Sequence, residues 1–183
     1  MRTSARVDRR ESGITLIELV IALAIAGLLV GIAMPYYGDW IAEYQVMNFA
    51  RDLAGNMNTA RSEAIKRGIR VNVCKSANRR QCTSGGDWAQ GFVVHVDVDH
   101  DGQIDAGESA LRVGETAPPR ITARGNGPIA DYVSYTSMGS ARLLNGGLQM
   151  GTLTVCRSGQ KAVDIVLAHS GRARIQKTAA MCP

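Results

Sequence analysis

The chain has 183 residues, of which 45% are hydrophobic and 20% charged, and it carries a formal net charge of +5. That length holds one domain of ordinary size with an appendage and excludes a large multidomain chain. The averages are globular, but they hide two gradients. From Ile14 to Met34 the only charged side chain is Glu18, whereas residues 109–183 carry nine Lys/Arg against three Asp/Glu. The basic end is therefore the C-terminal third.

The N-terminus comes first. Arg2, Arg6, Arg9 and Arg10 precede an apolar run long enough for a membrane core, which needs about 20 residues. Basic residues before the run hold that end in the cytoplasm and export everything after it. Glu18 is the anomaly, because a carboxylate at mid-membrane costs about 2.5–3.5 kcal/mol on insertion scales. The stretch "SGITLIE" supplies an answer by resemblance: it is similar to the type IV prepilin signal, in which a short basic leader ends in Gly and a Glu follows at the fifth residue after the cut. The resemblance implies a leader over residues 1–13 and a prepilin peptidase cut between Gly13 and Ile14. It also implies a methylated amine on Ile14 and a pairing of that amine with Glu18 of a neighbouring subunit. Ile14 departs from the family, where Phe is the more usual first residue. Residues 14–35 would then be the membrane and filament-core half of one long helix.

Trp40, Tyr44, Met47, Leu53, Met57 and Ala64 recur at three- or four-residue steps and predict an amphipathic continuation over residues 36–67, which Gly68 ends. After Gly68 the pattern changes. "IRVNVC", "GFVVHVDV", "ALRV", "RITAR", "YVSYT", "LTVC", "AVDIVLA" and "RARIQ" are short, rich in β-branched residues and separated by Gly, Pro, Asn and Ser. They predict a β-rich head over residues 68–183, with an antiparallel meander over 152–176. A long helix on such a head is an α+β architecture. "ARSEAIKRG", "VNVC", "WAQGFVVHVDVDHDGQIDAGE" and the closing "SGRAR" resemble the FimT/GspH-like minor pilins and pseudopilins.

Four cysteines lie downstream of the apolar run, as suits disulfides in an exported domain. Of three possible connectivities the favoured one joins Cys74 to Cys82, closing a short loop, and Cys156 to Cys182, pinning the C-terminus. "DVDHDGQIDAGE" satisfies the D-x-D-x-D-G-x5-E calcium-loop pattern through Asp97, Asp99, Asp101, Asp105 and Glu108. Strands flank it where a helix–loop–helix site needs helices, and the preferred reading is a solvated Asp/Gly turn. No cofactor is expected. Catalysis has little support: His95, His100 and His169 stand without a nucleophile at a recognisable elbow, and no phosphate loop or dinucleotide fingerprint occurs.

The remaining motif is "GRAR". On a strand, Arg172 and Arg174 share one face about 7 Å apart, a spacing suited to clamping successive phosphates. Lys177, Arg142, Arg157 and Lys161 could extend the patch. In FimT-like pilins a Gly-Arg-x-Arg motif near the C-terminus is associated with DNA binding during natural transformation, so the resemblance implies a DNA-binding role for Arg172 and Arg174, with Gly171 as the turn. This chain lacks the Cys that closely follows the second Arg in that family. Aromatic residues are scarce in this third, which favours double-stranded DNA held by its backbone over a base-stacking single-strand site. The implied partners are other pilins, the prepilin peptidase, the inner-membrane assembly platform and double-stranded DNA. The implied location is the bacterial inner membrane, with the head in the periplasm or on a pilus. The alternative is a GspH-like pseudopilin of type II secretion, or a structural pilus-assembly subunit, without DNA binding.

Overall fold

The computed structural model describes residues 14–183. The expected leader, including Gly13 of the cut site, lies outside the described residues. One helix, α1 (Leu16–Arg67), is followed by eight strands: β1 (Val71–Lys75), β2 (Phe92–Val96), β3 (Ala110–Gly114), β4 (Ile121–Gly125), β5 (Tyr132–Tyr135), β6 (Gly151–Arg157), β7 (Lys161–Leu167) and β8 (Ala173–Met181). Each of the eight β-branched runs has become a strand.

The chain divides into two compact units, one ending at Trp40 and one beginning at Ile41. In the first, every large apolar side chain from Ile14 to Met34 is exposed. A continuous apolar surface of this kind marks a membrane or partner interface. No single helix among the described residues is long and apolar enough to cross a membrane; Leu16–Ile32 and Tyr37–Arg67, bent by 43° from one another, match a span taken together on length and composition only. The start of α1 has a local cause. Thr15 Oγ1 accepts from the Glu18 N–H at 3.3 Å, and Glu18 Oε2 accepts from the Thr15 N–H at 3.1 Å and its hydroxyl at 3.0 Å. This reciprocal T-x-x-E pair is a capping box, which satisfies the orphan donors of a first turn. Thr15 belongs to the "SGITLIE" match, but its capping role was not read from the sequence, although the T-x-x-E spacing signals it.

In the second unit the C-terminal part of α1 packs on the strands. Ala42, Val46, Ala50, Leu53, Met57, Ala60 and Ala64 are buried and recur at three- or four-residue steps, so one stripe faces the core. The alanines in that stripe let the helix approach the sheets closely. Met47, Leu53, Met57 and Ala64 are buried as the sequence pattern requires, but Trp40 and Tyr44 are 61% and 55% exposed. The buried stripe passes through Ala42 and Val46, and Tyr44 lies between them, half a turn round the helix.

The strands form two antiparallel four-stranded sheets, ordered β3-β2-β1-β5 and β4-β6-β7-β8. The core joins the helix stripe to Val71, Val73, Phe92 and Val94 of the first sheet and to Leu153, Val155, Val163, Ile165 and Ala173 of the second. Trp88 and Phe92 are fully buried, with the Trp88 indole donating to the Ile129 carbonyl at 3.2 Å. β1 and β2 are buried along their whole length, so their second face is covered too. The Cys74–Cys82 disulfide closes a loop at that face, and Asp97 at the start of the acidic loop accepts from Asn72 of β1. The second disulfide, Cys156–Cys182, ties the end of the chain to β6.

Candidate nucleic-acid interface

Arg172 and Arg174 flank the first residue of β8, an edge strand of the second sheet. Strand alternation sets their direction: Ala173 is buried, Ile175 is half-buried against the core, and Arg172, Arg174 and Gln176 are exposed. The two guanidinium groups share the solvent side. Neither makes a hydrogen bond or ion pair among the described residues, in contrast to the arginines that hold the fold.

The turn before them is built tightly. The Gly171 N–H donates to the Ala168 carbonyl at 2.8 Å, and the Ala168 N–H to the Arg172 carbonyl at 3.1 Å. Gly171 has φ +82°, where glycine alone is unstrained, and a Cβ there would lie 2.1 Å from the Gly139 carbonyl oxygen. That carbonyl is itself fixed, because Arg61 Nε on α1 donates to it at 2.8 Å. One helical turn earlier, Asn58 binds the backbone between the arginines on both sides: its Nδ2 donates to the Ala173 carbonyl at 3.1 Å and its Oδ1 accepts from the Ala173 N–H at 3.3 Å. An edge strand leaves such groups unpaired, and here a helix side chain closes them. The motif is therefore held from α1 by Asn58 and Arg61, neither of which sequence reasoning singled out. Arg61 belongs to "ARSEA", but its tie to a turn far along the chain is visible only in the fold.

The other basic candidates do not join this pair. Lys177 has the opposite parity on β8 and points to the helix side, where its Nζ meets Glu43 Oε1 at 3.5 Å. Arg157 also faces inward and bonds Gln45 on α1 through Nη1. Lys161 pairs with Met181, at the far end of the β7–β8 hairpin from Arg174, which pairs with Val166. Five residues of β7 separate those ends by about 17 Å. Arg142 lies one residue beyond Ala141, whose N–H donates to the His169 carbonyl of the turn, but its Nη1 reaches the Gly146 carbonyl at 3.3 Å. The compact pair is thus Arg172 and Arg174 alone.

The acidic loop lies in the first sheet, between β2 and β3. Asp97 is buried and accepts from Asn72 Nδ2 at 2.7 Å and from the Gly102 N–H at 3.4 Å. Glu108 accepts from the Val98 N–H at 2.6 Å and the Asp105 N–H at 3.4 Å, and Asp101 from the Gln103 N–H at 2.6 Å. Asp97, Asp99 and Glu108 form one group, and Asp99, Asp101 and Asp105 another, each with carboxylate oxygens within 4.8 Å. The negative charge of Asp101, with burial and then Asp99 and Glu108, raises the Asp105 carboxyl above its ordinary range. The loop brings its five carboxylates together and is closed by its own backbone donors, as an Asp/Gly turn is. His95 is fully buried, with Nε2 3.5 Å from Cys82 Sγ, while His100 and His169 are exposed; no two of the three form a pair.

Comparison with known proteins follows the same division of the chain. Residues 50–171 match the family described as type II transport protein GspH, and residues 8–34 match the prokaryotic N-terminal methylation motif. The chain is 28% identical over 142 residues to the type IV major fimbrial protein FimA of Dichelobacter nodosus, covering 74% of this chain and 80% of that protein. It is 29% identical to the pilin-like protein PilA1 of Thermus thermophilus, covering 90% of this chain and 97% of that one. Among solved structures, the type IV minor pilin FimU of Pseudomonas aeruginosa superposes with a TM-score of 0.56 at 18% identity, covering 76% of this chain and 92% of FimU. The minor pseudopilin EpsH of the type 2 secretion system of Vibrio cholerae gives 0.51 at 14% identity, with 74% and 99% covered. At those identities the two structures speak for the fold alone.

Proposed function

This chain belongs to the GspH family and is a structural subunit of the pilin and pseudopilin class, and from that premise we propose that it is a minor type IV pilin that binds double-stranded DNA through Arg172 and Arg174. The observation that carries the reading is the turn itself. Two unpaired guanidinium groups stand on one exposed face, and their backbone is immobilised by Asn58, Arg61 and Gly139. Ordering a flexible arginine segment on binding would cost entropy, and a strand already fixed avoids most of that cost. Contacts of this kind go to phosphates, so binding is weakly sequence-dependent and strongly salt-dependent.

The N-terminal unit supports the assembly half of the reading. Cleavage after Gly13 frees the amine of Ile14, the exposed apolar run inserts in membrane or packs with neighbouring helices, and the head is exported. Glu18 caps α1 within the subunit through Thr15. In a filament it also pairs with the amine of a neighbour, where removing one partner of a buried ion pair costs about 3–5 kcal/mol. The second reading, a type II secretion pseudopilin without DNA binding, draws on the fold similarity to the pseudopilin as much as to the pilin.

Fluorescence anisotropy separates the two readings. The full chain in non-ionic detergent is titrated with a labelled mixed-sequence duplex at several salt concentrations. Arg172→Gln/Arg174→Gln is expected to weaken binding at every salt and to reduce the log–log salt slope by about 1.8, since each phosphate contact contributes about 0.9. Wild-type protein that binds no duplex even at low salt would leave the secretion reading in place, and a double variant that binds as wild type would overturn Arg172 and Arg174 as the site.

A further inference from the structure

The register of the second sheet extends this surface. Arg124 on β4 pairs with Thr154 on β6, Thr154 with Asp164 on β7, and Asp164 with Gln176 on β8. Gln176 has the parity of Arg172 and Arg174, so Arg124 lies on the same outward face. Its neighbours agree: Ile121 and Ala123 are buried, whereas Thr122 and Arg124 are exposed. Like the two arginines of the turn, Arg124 makes no side-chain hydrogen bond or ion pair among the described residues. Elsewhere in the basic third, Arg142, Arg157 and Lys177 are each engaged by a protein acceptor.

We propose that the outer face of β4-β6-β7-β8 is a duplex-binding surface on which Arg124 holds the phosphates of the second strand, while Arg172 and Arg174 hold those of the first. The inference rests on the DNA-binding reading and adds to it the residue that holds the second strand of the duplex. Three strand spacings put Arg124 about 14 Å from β8 across the sheet, and two residues put it ~7 Å from Arg174 along it. Arg172 and Arg174 follow one strand of phosphates, being two residues apart. A cation displaced across the sheet lies off that line, where a single-stranded ligand has no phosphate. The backbones flanking a duplex groove about 12 Å wide do offer phosphates at that separation.

The rest of the face suits the same ligand. Thr122 and Thr152 present hydroxyls on the outward parity, a common donor type for phosphate oxygens. Asp164 is the opposing charge, lying on that face between the arginines and accepting from Thr154 Oγ1 at 2.7 Å. It sets a repulsive limit on how closely the backbone approaches, and its removal should tighten binding to any sequence.

The anisotropy titration, again on the full chain in non-ionic detergent, tests this with Arg124→Gln, Asp164→Asn and, as control, Arg112→Gln, an exposed arginine on β3 of the other sheet. The probes are a 30-bp mixed-sequence duplex and one of its strands. Arg124→Gln is expected to lower the duplex salt slope by about 0.9, adding to the loss from Arg172→Gln/Arg174→Gln, and to leave single-strand binding near that of wild type. Asp164→Asn is expected to bind the duplex several-fold more tightly, and Arg112→Gln to match wild type. Circular dichroism of each variant verifies the fold. If Arg124→Gln matches wild type on the duplex while the double variant is weakened, the second anchor is overturned and the DNA-binding reading stands. If Arg124→Gln weakens duplex and single strand alike, the assignment to a second strand is overturned. A double variant that binds as wild type overturns both readings.

Discussion

Gly171→Ala provides the sharpest physical test of how the arginine turn is built. The substitution acts through two separable effects. At φ +82° an L side chain is strained, at a cost of about 1–2 kcal/mol. The new Cβ also falls 2.1 Å from the Gly139 carbonyl oxygen. Relief requires one backbone to move by more than an ångström. Gly139 cannot yield freely, because Arg61 holds its carbonyl, nor can the turn, because Asn58 holds Ala173. Overpacking of this kind costs typically about 1–3 kcal/mol. A stiffer unfolded chain returns about 0.4–1 kcal/mol, leaving a net loss of roughly 2–4 kcal/mol. Gly159 supplies the control: it has φ +79° in the β6–β7 turn, and a Cβ there meets nothing within 4 Å. Gly159→Ala should therefore lose only about 1 kcal/mol. Urea unfolding of the full chain in detergent, followed by tryptophan fluorescence, reads both variants on one scale. Equal losses for the two variants would show that Gly171 does not pack on Gly139, and the account of the turn would be wrong.

Asn58→Ala removes both bonds to the Ala173 backbone and should cost about 1–3 kcal/mol; urea titration reads that loss, and amide exchange at Ala173 should accelerate more than exchange at Ile165. Cys156→Ser/Cys182→Ser opens a loop with a sequence separation of 26 and Cys74→Ser/Cys82→Ser one of 8, so loop-entropy arguments give losses of about 3.5 and about 2.5 kcal/mol respectively, measured as shifts in the urea midpoint. The hydrogen bond from Arg67 holds the Glu63 carboxyl below its ordinary value of 4.5. A depressed folded value contributes stability that is present above 4.5 and lost as pH falls through the folded value. Glu63→Gln should therefore melt slightly below wild type at neutral pH, and a melting series in acid should show the two converging.

Much of the head was legible from local chemistry. β-branched runs bounded by Gly, Pro, Asn and Ser become all eight strands because each run is short and its breakers are strong. The helix was legible in extent but not in phase: Trp40 and Tyr44 fit an apolar period, yet the buried stripe follows small residues, Ala42 and Ala50 among them, that hydropathy alone undervalues. Parity could have excluded Lys177 from the arginine patch, since position 177 cannot share a strand face with 172 and 174. Arg157 and Arg124 could not have been sorted this way. Their faces depend on which strand pairs with which and in what register, and that follows from long-range packing. The same holds for Asn58 and Arg61: their place on α1 is readable, but the backbone groups they meet come from parts of the chain more than seventy residues away.

Asn58 has a mechanical consequence. A pull applied at Arg172 and Arg174 reaches Ala173 between them, and Asn58 passes it directly to the C-terminal part of α1. The other end of β8 is fastened to β6 through Cys182, so the strand is gripped at both ends and resists peeling from β7 one bond at a time. Tension is then shared along the whole β7–β8 ladder, which must slip as a unit. A cargo held at this turn would thus load the packed helix and the β7–β8 ladder of the second unit, and the loops of the head would carry little of the force.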